Sequence, residues 1–297
     1  MQIRRTGLSL LAATVVLTLA TSGCGDSGDG KPDVTVATPT GLSVSVLQWR
    51  TDYTIRRMQL EVTNAGPSPI TVTAARLTST ALTGVAAWQS RDQADETRIT
   101  PGTSTDLPAA LPASNCQNAA GFVSTAQVSL RSADGQIGWT AALPVRDPFG
   151  SILRVHTEDC RRAAALGIAA MTLVKPLRTT TRNGQLIGLL ELRLTPSGKP
   201  GTLTVESISS TTLLAPVTGE AWQVNRAVSA ESGPQSVTLE LRAARCDPHA
   251  IAEDKLGTVL PLTLRVDNGE TGVVTVAADP DLRNQIQAFV HKACTKT

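Results

Sequence analysis

In this 297-residue chain, the spacing of the cysteines indicates whether they form disulfides or bind a metal. Cys116 and Cys160 frame one block, and Cys246 and Cys294 frame a second block of similar length. Zinc-binding cysteines usually come in closely spaced pairs, and these four have no CxxC spacing. We therefore predict two disulfides, Cys116 with Cys160 and Cys246 with Cys294, which leave Cys24 as the odd cysteine.

Two histidines lie close in sequence to the second cysteine pair. His249 follows the first of these cysteines and His291 precedes the second, so a disulfide would bring the imidazoles toward each other. Together with Asp247, and with Glu253 or Asp254 nearby, they would suit copper or zinc. The alternative is that His249 faces solvent and His291 packs beside its helix.

Catalytic motifs are missing from the sequence. The chain has only 3 histidines, no GxSxG motif and no glycine-rich phosphate loop. The adjacent carboxylates Glu158–Asp159 are expected to be solvated on a helix surface. Trp88 and Trp222 could stack on sugars, but their matched positions favour core packing. We predict that the protein is not an enzyme and needs no cofactor.

The composition predicts a folded β-protein. The chain is 41% hydrophobic and 18% charged, and its formal net charge of +2 gives no electrostatic case for nucleic-acid binding. Aromatic residues are scarce, whereas Thr, Val, Ala, Leu and Ser dominate. β-Branched residues favour pleated, half-buried surfaces, so strands are the first expectation.

Short runs with alternating apolar residues predict strands in both halves of the chain. A further hairpin is predicted around a turn at 133–135. The predicted strands are Val34–Val36, Leu42–Trp49, Ile55–Val62, Ile70–Leu77, Met171–Val174, Leu186–Leu194 and Leu203–Ser210.

Several sequence features recur in the same order in the two halves. Gly135 precedes Cys160 by the same distance as Gly269 precedes Cys294. The other recurring pairs are Leu60–Glu61 with Leu190–Glu191, Trp88 with Trp222, Leu130–Arg131 with Leu264–Arg265, and Asp147–Pro148 with Asp279–Pro280. This recurrence predicts a duplication. We expect a mainly β fold of two tandem immunoglobulin-like β-sandwich domains, residues 34–164 and 165–297, each closed by a short C-terminal α-helix and one disulfide.

The two closing helices have sequence caps. Asp147 is predicted to cap a helix whose first residue is Pro148 and which stops at Gly167, and Asp279 with Pro280 predicts the second helix. The copies differ mainly just after Cys246, where an insertion predicts a short helix from Asp247 to a stop at Gly257. Glu253, Asp254 and Lys255 in this insertion form a candidate binding surface.

The N-terminus predicts export. Arg4 and Arg5 precede an apolar run over 8–20 that is too short for a permanent membrane span, so residues 1–23 are predicted to be a signal peptide. The stretch 21–24 resembles the lipobox of bacterial lipoproteins. That resemblance implies a diacylglycerol-modified Cys24, followed by a flexible tether over 24–33. Ordinary secretion, with cleavage after Ala20, is the alternative.

The C-terminal part of the chain has a further resemblance. Its CDPHAIAEDK segment is followed by a hairpin, an Asp-Pro helix and a final cysteine. Over residues 240–297 this pattern resembles a group of exported lipoproteins from high-GC Gram-positive, actinobacterial bacteria. The resemblance implies a lipid-anchored, extracytoplasmic location at the cell membrane. We expect a binding or scaffolding module with a membrane contact through its lipid and an envelope-protein or cell-wall partner, or alternatively a copper- or zinc-binding lipoprotein.

Overall fold

Strands dominate the described part of the chain, as the composition predicts. The computed structural model describes residues 40–53, 55–89, 96–118, 121–131, 138–252, 254 and 256–295. The predicted signal segment, Cys24, the tether, the strand at Val34–Val36 and the turn at 133–135 lie outside these residues. The described chain is mainly β, with sandwich-like packing of its sheets and two disulfides.

Among the described residues, eight strands precede the first long helix. They pair in the order β4-β3-β7-β8-β1-β2-β6, with β5 also on β3. β8 changes partner along its length, because its first part pairs with β7 and its last two residues pair with β1 in parallel. The strands are β1 Leu42–Leu47, β2 Arg57–Asn64, β3 Ile70–Ser79, β4 Ala86–Ala87, β5 Thr97–Ile99, β6 Thr103–Ala110, β7 Ser124–Arg131 and β8 Gly138–Arg146.

Another eight strands follow that helix in the described chain. They form two four-stranded sheets, in the orders β12-β14-β10-β9 and β13-β11-β15-β16. The neighbours β9-β10-β14 and β11-β15-β16 repeat the neighbours β1-β2-β6 and β3-β7-β8 of the first part. The strands are β9 Ala169–Arg182, β10 Gln185–Pro196, β11 Thr202–Ser209, β12 Leu214–Pro216, β13 Ala221–Ser229, β14 Gln235–Ala243, β15 Val259–Val266 and β16 Gly272–Ala277.

Alternation along the strands explains which face is buried. In β10, Leu190, Leu192 and Leu194 are fully buried, while Glu191 and Arg193 between them point outward and pair with each other at 2.8 Å. Successive strand residues face opposite sides of a sheet, so this pattern gives one apolar face. The matched Leu-Glu pairs of the sequence lie on β2 and β10, as the predicted duplication requires.

The helix α3, Pro280–Cys294, follows its sequence prediction closely. The Asp279 carboxylate accepts a hydrogen bond from Leu282 N at 2.9 Å, and Pro280 occupies the first turn, where its missing N–H costs nothing. Leu282, Ile286, Phe289 and Val290 line its buried face.

The helix α1, Ser151–Ile168, begins later than the sequence predicted. Asp147 does cap it, because its carboxylate oxygens accept from Ser151 N at 2.7 Å and Ile152 N at 2.8 Å. The prediction of Pro148 as the first helical residue was wrong. Gly150 adopts a left-handed φ of 61°, which glycine allows, and this turn delays the helix. The predicted stop at Gly167 was also wrong, since the helix continues to Ile168.

The inserted helix α2, Pro248–Ala252, is shorter than predicted. Asp247 precedes it and accepts from His249 N at 2.9 Å, in agreement with the predicted cap. Gly257 does not end this helix. Its backbone lies so close to Leu213 that a Cβ there would be 2.4 Å from Leu213 Cγ, which gives packing as the reason for glycine.

α1 contributes to two separate apolar cores. Ile152 and Val155 near its N-terminus pack in the first core with β1 to β8, whereas Ala165 and Ile168 near its C-terminus pack in the second with β9 to β16. The helix then passes directly into β9 at Ala169. No linker therefore separates the two cores along the chain.

Candidate functional site

The four predicted disulfide cysteines are paired as expected. Cys116 bonds Cys160, and Cys246 bonds Cys294, each with a Cα–Cα distance of 5.3 Å. The first bond attaches the segment before β7 to the middle of α1. The second attaches the segment before α2 to the end of α3. Each helix is thus covalently closed onto its own set of strands.

The predicted metal ligands lie on the surface. His249 is exposed on α2, where its backbone contacts Asp247, and His291 is exposed near the end of α3. Within the described ranges, no group of three or more His, Cys, Asp or Glu side chains is placed to hold a metal ion. Copper or zinc binding by His249, His291 and Asp247 therefore stays a sequence prediction.

Of the predicted binding surface after α2, the structure describes only one residue. Asp254 is half-buried, and its carboxylate accepts a hydrogen bond from Gly257 N at 2.7 Å, which closes the turn before β15. Glu253 and Lys255 lie outside the described residues. This contact gives Asp254 a structural role in its own loop.

The two matched tryptophans belong to the cores. Trp222 is 8% exposed, and its indole Nε1 donates to Glu240 O at 2.8 Å. Trp88 is partly buried and packs against the first core. Both placements agree with the preference for core packing.

An ion pair missed by the sequence analysis joins α1 to the β1–β2 loop. Arg56 contacts Asp159 through two bonds, Nη1 to Oδ1 at 2.6 Å and Nη2 to Oδ2 at 2.9 Å, and also donates to Pro112 O at 3.0 Å. The Ser114 hydroxyl donates to Asp159 Oδ2 at 2.6 Å. Asp159 was expected to be solvated, and that expectation was wrong.

Each member of this ion pair shifts the pKa of the other toward the charged form. Burial alone would raise the pKa of the Asp159 carboxyl, but the hydrogen bonds from Arg56 and Ser114 outweigh it and hold that pKa below its ordinary value. The Asp159 hydrogen bond in turn raises the pKa of Arg56. Arg56 has a left-handed φ of 50°, a conformation that costs energy for a residue with a side chain.

His156, for which the sequence predicted no function, is a buried residue of α1 beside the first disulfide. Its side chain is packed against Phe122, with ring centroids 4.6 Å apart. Nε2 lies 3.0 Å from Asn115 O and 3.6 Å from Cys160 Sγ. Because a carbonyl oxygen only accepts, Nε2 carries the ring hydrogen and donates it to Asn115 O.

A groove of about 320 Å³ opens at the start of α1. Two polar groups in its wall are already bonded within the protein: Asp147 caps α1, and the Ser124 hydroxyl bonds the Ser79 hydroxyl at 2.9 Å. The groove therefore presents mainly apolar atoms. Its lining residues are Gly121, Phe122, Ser124, Val145, Asp147, Ile152 and Leu153.

Three large apolar side chains that line this groove or lie close to its lining residues in the sequence are exposed. Phe149 is 75% exposed, Val123 is 67% exposed and Leu153 is 54% exposed. On the neighbouring side of α1, Arg154 lies 4.5 Å over the ring of Tyr53, a cation–π contact that holds another partly exposed aromatic ring. Clustered exposed apolar residues mark interaction surfaces in soluble domains, whereas scattered ones do not.

Comparison with known proteins does not assign this chain to a family. No protein-family model and no curated protein matches the chain. Red sea bream transglutaminase aligns at 13% identity with a TM-score of 0.21, covering 82% of this chain but 32% of its own. The CsuC–CsuE chaperone–tip adhesion subunit complex of Acinetobacter baumannii Csu pili aligns at 10% identity and 0.20, covering 74% of this chain and 90% of its own. The YadV chaperone aligns at 8% identity and 0.18, covering 75% and 91%.

These alignments are too weak to carry an argument about fold or function. This chain spans about a third of the transglutaminase length.

In the part of the chain that the structure covers, no helix is both long enough and apolar enough to span a bilayer.

Proposed function

We propose that this chain is a lipid-anchored, extracytoplasmic binding module built from two tandem immunoglobulin-like sandwiches, residues 34–164 and 165–297. The repeated strand neighbours of the two halves support this division. The two separate apolar cores and the one disulfide in each half support it further. No catalytic step is part of the proposal.

Lipid anchoring through Cys24 is supported by cysteine pairing. The other four cysteines are paired in two disulfides, which leaves Cys24 as the odd one in a chain whose N-terminus predicts export. A diacylglycerol thioether would use this thiol. The short polar stretch after it would let the folded part stand off the membrane.

Cys24→Ser tests the anchor directly. The wild-type protein should fractionate with membranes and partition into detergent, and the variant should lose the lipid mass and move to the soluble fraction or remain as unprocessed precursor. Cys116→Ser with Cys160→Ser is the matched control, because it removes cysteines without removing the lipid site. Equal membrane recovery without a lipid mass on either protein would contradict the anchor.

The apolar groove at the start of α1 is the observation that carries the binding proposal. Its volume of about 320 Å³ is at the small end of ligand pockets and fits one or two large apolar side chains. Its polar wall groups are bonded internally, so a sugar or a charged ligand would find few partners there. The proposed occupant is an apolar side chain of a polypeptide at the cell envelope, clamped by Phe149 and Leu153.

The experiment compares two variants of the lipidated protein in pull-downs from its own membranes. Phe149→Ser with Leu153→Ser removes the exposed clamp, and we expect about a tenfold or larger loss of the captured partner because central apolar residues dominate binding energy. Val273→Ser is the control, since Val273 is 48% exposed but lies on β16. Equal capture by both variants, or no protein captured by the wild type, would overturn the proposal.

A further inference from the structure

The first disulfide is asymmetric in its surroundings. Cys116 is exposed, whereas Cys160 is half-buried in the middle of α1. Thiol–disulfide exchange proceeds by attack of a thiolate on one sulfur, with the other sulfur leaving as a thiolate. An external thiolate therefore reaches Cys116 more readily, and Cys160 becomes the leaving group.

The leaving sulfur has a hydrogen-bond donor beside it. His156 Nε2 lies 3.6 Å from Cys160 Sγ, and in the closed disulfide its one hydrogen is donated to Asn115 O at 3.0 Å, so a thiolate at Cys160 would compete with this carbonyl for it. The imidazole is 6% exposed and packed against Phe122, so the ring is in place before the reaction. A leaving thiolate that accepts a hydrogen bond departs faster because its negative charge is stabilised.

The negative charge next to this sulfur is already neutralised. Asp159 precedes Cys160 in the chain, and an unpaired carboxylate there would oppose a new thiolate. Arg56 binds both of its oxygens, and Ser114 donates to one of them. The ion pair thus reduces the negative charge that Asp159 contributes near Cys160.

We propose that Cys116–Cys160 is a thiol-exchange site, in which His156 stabilises the departing Cys160 thiolate. A thiolate sulfur bonds to Cys116 Sγ, and the Cys116–Cys160 bond breaks with its electron pair on Cys160. A second thiolate attacks the mixed disulfide, releases Cys116 and forms an external disulfide. Two external thiols are oxidised, one protein disulfide is reduced, and the two thiol protons pass through solvent to the cysteines.

The test follows reduction of the native full chain by 2-mercaptoethanol, with alkylation of free thiols and peptide mass spectrometry at each time point. The mixed disulfide trapped early should sit on Cys116. His156→Leu should slow opening of this bond about tenfold, in proportion to the lost stabilisation of the leaving thiolate, and leave opening of Cys246–Cys294 unchanged. His156→Gln keeps an N–H at a similar reach and should recover part of the rate.

The site would be overturned by an adduct on Cys160, by an unchanged opening rate in His156→Leu, or by equal slowing of both disulfides. If His156→Leu does not fold, the adduct position in the wild type and the rate of His156→Gln decide the question. Dithiothreitol in place of the monothiol should open the bond without an accumulating adduct, because its second thiol resolves the intermediate intramolecularly. Slower opening by dithiothreitol than by the monothiol at equal thiol concentration would also contradict the exchange sequence.

Discussion

At the residue scale, Asp159 shows how one side chain fastens a helix to distant strands. It binds Arg56 and Ser114, which are far from it in sequence, and it sits beside the disulfide at Cys160. The left-handed backbone of Arg56 costs energy that these contacts offset. No sequence pattern identified this contact, because the partners are 103 residues apart and belong to a loop and a helix.

Asp159→Asn should lower the free energy of unfolding by about 1–2 kcal/mol at pH 7. This loss is smaller than for a fully buried ion pair because the Arg56 side chain is 45% exposed and solvent screens the interaction. The folded-state pKa of Asp159 is depressed, so its stabilisation is fully present above the unfolded pKa of about 3.9 and is lost as the pH falls through the lower folded pKa. Urea unfolding of both proteins at pH 7 and in steps toward pH 3 measures this.

The neighbouring carboxylate supplies the control for this measurement. Glu158 is 56% exposed and lies 3.6 Å from Arg154, so Glu158→Gln should change stability by less than about 0.5 kcal/mol. The wild-type and Asp159→Asn stabilities should converge in acid. A difference between them that stays constant from pH 7 to pH 3 would show that the carboxylate charge contributes nothing.

At the element scale, α1 is the part of the fold that links the others. Its first turns belong to one core and its last turns to the other, and Arg162 also donates to Thr275 O on β16. Gly272 on β16 lies against the Arg161 guanidinium, where a Cβ would overlap it. These contacts hold the helix to the second set of strands along one side.

Ile168→Ala should lower the free energy of unfolding by about 2–4 kcal/mol, because it removes a side chain that is 5% exposed and leaves a cavity in the second core. Gly201 packs closely on this side chain, since a Cβ there would lie 2.9 Å from Ile168 Cδ1. Leu166→Ala is the matched control, since Leu166 is 41% exposed and should cost less than about 0.5 kcal/mol. Thermal or urea unfolding compares the two, and equal losses would contradict the placement of Ile168.

The sequence predicted most elements but not the contacts between them. Alternating leucines in β10 and the Asp279 cap of α3 are local signals, and the disulfide partners follow from the repeated cysteine spacing; all three are confirmed. The start of α1 was missed because Asp147 caps it across a glycine turn rather than directly. The groove was missed because Phe122, Val145 and Leu153 come from a loop, a strand and a helix that only folding brings together.

At the scale of the whole molecule, the described residues from 40 onward belong to one compact unit with two cores, and α1 joins these cores without a linker. Such an arrangement favours presentation of a fixed surface over independent movement of two modules. The proposed surface is the groove at the start of α1, and it lies on the first set of strands. The β16 face around Val273 belongs to the second set and offers a comparison within the same molecule.

The central claim is that the groove, rather than the apolar surface in general, contacts a polypeptide at the envelope. Photo-crosslinking in intact cells tests it most directly, with a benzophenone amino acid placed at position 149 or at position 273. The account predicts a discrete protein adduct from position 149, reduced when Leu153→Ser is added, and none of that mass from position 273. The same adducts from both positions, or no adduct from position 149, would contradict it.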